Sequence, residues 1–479
     1  MVPDDAPPAP AAPRPRGGPL DTDALLREAA DAALAYAASV DGRRVAPDAD
    51  AVAALTAFDA PLSDAGTDAA DTLRLLRDVG GPATVASTGP RYFGFVTGGT
   101  QPAALGAAWL AAAWDQNAAL PVMSPVAARL HDVVRGWLVD LLGMPDGTAV
   151  AFVTGATVAN ATGLAAARDA LLARAGWDAQ ADGLFGAPAI DVVVGERAHS
   201  TLSKSLGLVG LGRSRVTVVP ADDQGRMRAE LLPELLPERA GPGPVLVCAQ
   251  AGEVNTGAFD PFDRLADWVA ARGGWLHVDG AFGLWAMADP TRRDLVRGLE
   301  RADSWATDAH KWLNVTYDSG IAFVREPADL RRTFAAVAGY LPSDVGFEAM
   351  HHTPQSSQRA RQVEVWSVLR TLGRRGIADL VQRACDAAVL IADRLRAGGL
   401  EVLNDVVLNQ VLVRCDDGPT TQALVAAVQA DGRIWVGPTS WDGAAAMRIS
   451  VSSWKTDLDD AAFAAEVILG CANRVRATR

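Results

Sequence analysis

Ser304-Trp-Ala-Thr-Asp-Ala-His-Lys-Trp-Leu-Asn314 is the stretch on which the reading of this chain turns, with Lys311 at its centre. Alone, a Lys in such a mixed stretch reads as a surface residue with a buried stem. The segment before it changes that reading. Gly274-Trp-Leu-His-Val-Asp279 is a short apolar run ending in a carboxylate, followed by the small residues Gly280 and Ala281. It reads as a buried parallel strand that delivers Asp279 to its C-terminal edge, where open α/β sheets place their ligands. An acid at one strand end and an amine 32 residues later lie one strand–helix unit apart.

Those residue types, in that order, suit pyridoxal 5′-phosphate. This cofactor needs a Lys to hold its aldehyde and an acid at the pyridine nitrogen, so that the ring can accept electrons from a bond broken at the substrate's α-carbon. His277-Val-Asp-Gly-Ala281 and Asp308-Ala-His-Lys-Trp312, at this spacing, resemble the group II pyridoxal-phosphate-dependent amino acid decarboxylases. The aromatic-L-amino-acid, glutamate and 2,4-diaminobutyrate decarboxylases belong to that family. The resemblance runs from about Pro90 to about Thr456. It implies pyridoxal-phosphate fold type I, an α/β fold with a mostly parallel seven-stranded sheet, N-terminal helices and a small C-terminal α/β domain. It also implies a homodimer with shared active sites.

Composition fits that class. The chain has 479 residues, 49% of them hydrophobic, which is too much for one compact unit and ample for a large core. The expected division is a disordered tail 1–20, an N-terminal helical segment 21–120, a large cofactor-binding domain 121–375 and a small domain 376–479. The net charge of −13 and the lack of a long basic run argue against nucleic acid and anionic membrane as partners. Cys248, Cys385, Cys415 and Cys471 are scattered, so neither a metal site nor a disulfide framework is indicated. No apolar run is long enough to span a bilayer, and Asp4, Asp5 and several prolines stand where a signal peptide needs basic and then apolar residues. The expectation is a soluble, cytoplasmic protein.

Along the chain, Asp21 to Ser39 and Asp68 to Arg77 read as helices, the first amphipathic with a capping acid. Tyr92, Phe93 and Phe95, in the loop that also carries Thr97, are packing residues by default. In the family the equivalent stretch, and the one around Asn117 and Ala119, lines the substrate pocket. Asn117 and Ala119 replace bulky apolar positions of the aromatic decarboxylases, which suggests a roomier, more polar pocket. Ser124 caps a helix through Leu142.

Thr148–Val153 reads as a strand, and Thr154-Gly155-Ala156-Thr157 opens a helix running to about Arg174. Backbone N–H groups at a helix start, with the positive end of its dipole, make an anion site that suits the cofactor phosphate. His199 follows the strand Asp191–Val194. By itself it reads as a core histidine; the resemblance gives it the role of stacking on the pyridine ring. Met227 is expected to start a helix, and Asn255 and Thr256, in the loop after the strand Pro244–Gln250, to touch the cofactor.

The resemblance thus assigns Lys311, Asp279, His199 and His310 as catalytic residues. Gly155, Ala156, Thr157, Thr256, Ala281, Ser304 and Asp308 complete the expected cofactor site, and no metal is expected. Tyr92, Thr97, Asn117, Ala119, His351, His352 and Arg448 are the expected substrate residues. Family members return a proton from a loop Tyr after CO₂ leaves, and the segment 340–354 has no matching Tyr beyond Tyr340 at its start. His351 or His352 would replace that phenol near neutrality, unless both are ordinary exposed loop residues. The linker helix is expected at 355–372.

The expected activity is decarboxylation of an L-amino acid to an amine and CO₂. Two alternatives stand beside it: oxidative decarboxylation–deamination to an aldehyde, or transamination, on the same cofactor, and a degenerate scaffold kept for assembly or binding.

Overall fold

The computed structural model of the chain describes residues 21–236, 243–335 and 348–478. The expected tail 1–20 and the loop positions Tyr340 to Phe347 lie outside the described residues. The chain divides into two compact units, up to Val85 and from Ala86.

In the first unit three helices, Thr22–Ser39, Ala49–Ala54 and Ala69–Leu75, each begin on an Asp. The carboxylates of Asp21, Asp48 and Asp68 accept first-turn N–H groups at 2.8–3.1 Å, satisfying donors that have no partner inside the helix. No residue of these helices is buried within the unit.

Among the described residues the second unit carries twelve strands: β1 (Tyr92–Phe93), β2 (Ala149–Val153), β3 (Asp191–Gly195), β4 (Val216–Val219), β5 (Val245–Gln250), β6 (Trp275–Asp279), β7 (Ser304–Asp308), β8 (Gly320–Val324), β9 (Glu401–Val402), β10 (Gln410–Arg414), β11 (Trp435–Trp441) and β12 (Ala444–Ser450). Seven form one sheet in the order β2-β8-β7-β6-β5-β3-β4. It is parallel from β7 to β4, and β8 runs antiparallel to both its neighbours. Every residue of β5, β6 and β7 is buried, which is why these strands read as unbroken apolar runs rather than alternating ones.

Four tryptophans (Trp275, Trp285, Trp305 and Trp312) are almost wholly buried around this sheet. Two of them tie the core to strand ends: Trp285 Nε1 donates to the Asp308 carbonyl (3.1 Å) and Trp275 Nε1 to Ser304 Oγ (2.8 Å).

A second sheet has the order β1-β11-β12-β10-β9. β11 escapes sequence reading because Gly437-Pro438 interrupts it. Pro438 falls beyond the two residues that β1 pairs, so the strand is an edge there and a missing N–H is tolerated. Met227 makes an isolated bridge to Ala221, and helical turns start only at Ala229. The linker helix begins at Gln362, not 355, and runs to Ala397, across the expected domain boundary at 375. It contains no proline, and its one break is Gly373 at φ 60°. Among the described residues no helix is long and apolar enough to cross a membrane.

Candidate active site

The C-terminal ends of β5, β6 and β7 meet at one edge of the large sheet. Asp279 ends β6 and pairs in register with Gln250 on one side and Ala306 on the other. Asp279 is 4% exposed. Burial pushes its carboxyl above the ordinary carboxylate range, opposed by the nearby His199 and Lys311 and by the Ala281 N–H at 3.2 Å. Such a group favours a partner that brings its own proton.

Asp308 ends β7. Its Oδ1 accepts the Ala156 N–H at 2.5 Å, and its Oδ2 lies 3.1 Å from Lys311 Nζ. An acid near a phosphate site repels the anion unless it is paired; Asp308 is paired, on one side with a helix start and on the other with the lysine. His310 Nδ1 accepts the Ser319 N–H (3.2 Å), which leaves the proton on Nε2, 3.4 Å from Asp308 Oδ1. Burial holds the His310 ring below its ordinary pKa despite Asp308.

Lys311 sits in a tight turn held from outside. A Cβ on Gly98 would stand 1.8 Å from the Lys311 carbonyl oxygen, so only glycine fits this approach. Asn314, fully buried, accepts the Gly99 N–H (2.6 Å) and the Trp454 N–H (3.0 Å) and donates to the Trp312 and Ser452 carbonyls. Sequence reading missed Asn314; the available signal was an amide placed just after the lysine in an apolar stretch.

Lys311, Asp279, His199, His310, Asp308, Ala281, Gly155, Ala156 and Thr157 all line one cavity of about 180 Å³. Gln250, Gly252, Val254, Thr201 and Phe282 complete its wall and were not anticipated. A larger cavity of about 370 Å³, beside Asp260 and Arg264, contains neither Lys nor His and brings together none of this chemistry. His199 caps the helix Ser200–Leu208; its Nδ1 lies 2.7 Å from Thr201 Oγ1 and accepts the Thr201 N–H at 3.3 Å. Burial lowers its pKa, with Asp279 opposing, so the ring is neutral.

Other expected residues sit elsewhere. The Thr256 hydroxyl donates to the Gln224 carbonyl (2.7 Å) and also lies 3.2 Å from Glu253, whose carboxylate organises that loop, so it does not reach the cavity. Asn255 bonds to Glu253 (3.0 Å) and Thr439 (2.8 Å). Ser304, at the start of β7, lies between Trp275 Nε1 and His277 Nδ1 (2.7 Å) in the layer beneath. Tyr92 stacks on Trp435 at 5.2 Å. Thr97 faces the phenol of Tyr317, whose ring stacks on His310 at 4.2 Å.

Asn117 accepts the N–H groups of Ala119 (3.0 Å) and Gln358 (3.3 Å), while Ala119 packs with Leu120 and Met350. His351 and His352 are buried in a helical turn, not exposed: His351 Nε2 is 3.0 Å from Glu348 Oε2, and His352 Nδ1 is 3.0 Å from the Glu348 carbonyl. Burial pushes His352 down to about 4, so its ring is uncharged near neutrality. Arg448, on β12, donates to Asn255 Oδ1 at 3.5 Å and lies outside the cavity wall. Its charge nonetheless reaches His199.

A family model described as "Pyridoxal-dependent decarboxylase conserved domain" matches residues 62–415, most of the chain. The chain belongs to the pyridoxal-dependent decarboxylase family. Acidic amino acid decarboxylase GADL1 of Bos taurus is 29% identical over 347 residues, covering 71% of this chain and 66% of its own length. L-2,4-diaminobutyrate decarboxylase of Rhizobium meliloti (strain 1021) is 31% identical over 314 residues, covering 63% of this chain and 59% of its own. The chain therefore spans a little under two thirds of the length of these relatives. A crystal structure of Oryza sativa TDC with PLP and tryptamine shares the fold, with a TM-score of 0.88 at 23% identity over 96% of this chain and 99% of that one. The fold is thus pyridoxal-phosphate fold type I.

The cavity fits the family's cofactor by its donor set. It holds one primary amine, two carboxyls, of which burial drives Asp279 toward sharing a proton, and two imidazoles, His199 and His310, both held below their ordinary pKa by burial. The helix start is cut back to make room: a Cβ on Gly155 would press within 3.3 Å of both Asp308 and His310. Lys311, Asp279 and His199 would hold pyridoxal 5′-phosphate, with Thr157 and the first turn of the helix Ala156–Arg174 beside its phosphate.

Proposed function

We propose that this chain is a pyridoxal-phosphate-dependent carboxy-lyase that converts an L-amino acid into an amine and CO₂. The observation that carries the reading is the convergence of Lys311, Asp279 and His199 on one cavity at the strand ends of a family member. When bound, the cofactor supplies an aldehyde for the substrate amine and an electron-accepting ring.

The chain's residues do the rest. Lys311 Nζ is the amine that would hold the aldehyde between turnovers, oriented by Asp308 (3.1 Å). Asp279, buried at the strand end, would share a proton with the ring nitrogen. His199, its pKa lowered by burial, would cover one face of the ring and exclude water there. His310 Nε2–H is a neutral donor beside the phosphate or the substrate carboxylate. Arg448 lies outside the cavity wall but close enough for its charge to act on His199, and its fork-shaped guanidinium would meet a substrate carboxylate that extends beyond the wall.

A homodimer is part of the proposal. Trp109, Leu110, Trp114, Val122 and Met123 leave large apolar side chains 39–73% exposed on neighbouring stretches, as an interface would. The four cysteines are all free and buried, which suits a reducing cytoplasm.

One observation favours a second reading, oxidative decarboxylation to an aldehyde. His351 and His352 are engaged with Glu348 and neither lines the cavity, so neither returns a proton to the α-carbon. An amino acid panel with CO₂, amine, O₂ and peroxide followed together separates the two. Amine matching CO₂ with no O₂ uptake is the expected result. Aldehyde with peroxide would move the assignment to the oxidative reaction, and no CO₂ from any amino acid would overturn both.

A further inference from the structure

Gln250 ends β5, lines the cavity and is 7% exposed. Its backbone is fixed twice over. The Gln250 N–H donates to Asp260 Oδ2 (2.6 Å), and the Asp260 N–H returns to the Gln250 carbonyl (3.1 Å). On the other side β5 pairs with β6, with Gln250 in register with Asp279. From this rigid base the side-chain amide makes two bonds across to the loop after β3. Its Oε1 accepts the His199 N–H (3.1 Å), and its Nε2 donates to the Arg197 carbonyl (3.1 Å). Both ends of the amide are therefore spent on the backbone flanking Ala198.

The His199 ring has a second hold, from Thr201 on its Nδ1. Thr201 sets the rotation of the ring, while Gln250 sets the height of its Cα above the sheet edge. The residue that fixes this height is the in-register neighbour of the acid at the ring nitrogen. A shift of the His199 backbone by a few tenths of an ångström would open or close the slot between imidazole and cofactor. We infer that Gln250 is a positioning residue for the cofactor: its amide gauges the distance between the stacking imidazole of His199 and the Asp279 strand. Two part-buried hydrogen bonds made from one fixed strand end give that gauge its stiffness.

This inference rests on pyridoxal 5′-phosphate occupying the cavity. The test compares the full-length chain with Gln250→Met, which keeps length and volume but makes neither bond, and Gln250→Asn, which keeps the amide one methylene short. The readouts are the visible circular-dichroism band of bound pyridoxal phosphate, its Kd, and hydrogen exchange of segment 197–203 in the cofactor-free protein. Q250M is expected to weaken the cofactor about tenfold, as the loss of two modest hydrogen bonds allows. Its circular-dichroism band falls, segment 197–203 exchanges faster, and exchange in β5 and β6 is unchanged. Q250N is expected to behave likewise, and it carries the test if Q250M does not fold. A folded variant that keeps the wild-type band, Kd and segment exchange overturns the role of Gln250, as does one in which only thermal stability changes. A wild-type chain with no visible band overturns the functional reading instead, so the two failures are distinguishable.

Discussion

Single side chains carry the chemistry, and their roles separate by measurement. Lys311→Ala removes the amine and is expected to lower turnover roughly 10³-fold or more, with loss of the visible band of the bound cofactor. Asp279→Ala is expected to retain the cofactor's covalent attachment but lose about 10²-fold or more in turnover, since the ring nitrogen loses its acid. Unchanged turnover in Asp279→Ala would remove the electron-accepting role from that residue. These two were legible in the sequence because residue type and strand position coincide. Asn314 and Gln250 were not, because a sequence shows that a polar residue ends an apolar run but not which backbone its side chain turns back to meet.

His352 makes a prediction about pH. Its folded pKa is depressed to about 4, so the unfolded chain binds a proton between about pH 6.5 and 4 that the native chain does not. The stability it contributes is present above its unfolded pKa and is lost as pH falls through that window. Asp260, raised to about 6 by burial, acts in the opposite sense: its contribution is fully present below the unfolded carboxyl value of about 4 and is lost as pH rises through about 6. The informative comparison is therefore between two proteins. His352→Gln is expected to flatten the fall in stability between pH 6.5 and pH 5 by on the order of 2 kcal/mol, read by denaturant unfolding. An identical slope in both proteins would show that His352 titrates normally.

Among the elements, the strands of the large sheet were the most legible. β2, β3, β5 and β6 are short apolar runs bounded by small or polar residues, and each lies within a residue or two of its expected position. Helix starts with Asp or Ser caps were equally clear, as at Ser124, whose Oγ accepts the Ala127 N–H at 3.3 Å. What failed was continuity. The break at Gly373 does not end its helix, and Pro438 does not end β11, because tertiary neighbours override both local signals.

One turn tests how closely the elements must fit. Gly98→Ala places a methyl against the Lys311 carbonyl. It is expected to cost about 3 kcal/mol and to displace the lysine turn. The fall in cofactor affinity should exceed that of any surface Gly→Ala change; normal affinity would mean that the 97–101 segment does not brace Lys311.

The molecule as a whole has a site edge and an apolar surface that the chain leaves uncovered. Trp109, Leu110 and Trp114 share one helix, Pro102–Trp114, whose apolar side chains stand in solvent in the single chain. Leu110→Glu is expected to convert a dimer into monomers by light scattering and to lower activity with it. A wild-type protein that is monomeric at micromolar concentration would contradict the shared-site proposal. Composition bounded the size of the chain, while the α/β fold and the enzyme class were legible in the strand-end motifs and the resemblance they carry. Assembly is a proposal that came only through the family resemblance, because a helix that packs on a partner and one that packs on its own core share the same pattern.

The most direct test of the central claim is a paired assay of CO₂ and amine, run with the wild type and Lys311→Ala on the same amino acid panel with pyridoxal phosphate supplied. The expected result is equal CO₂ and amine from at least one L-amino acid, abolished in Lys311→Ala. CO₂ release that survives in Lys311→Ala, or a wild type that binds the cofactor and releases no CO₂ from any amino acid, would contradict it.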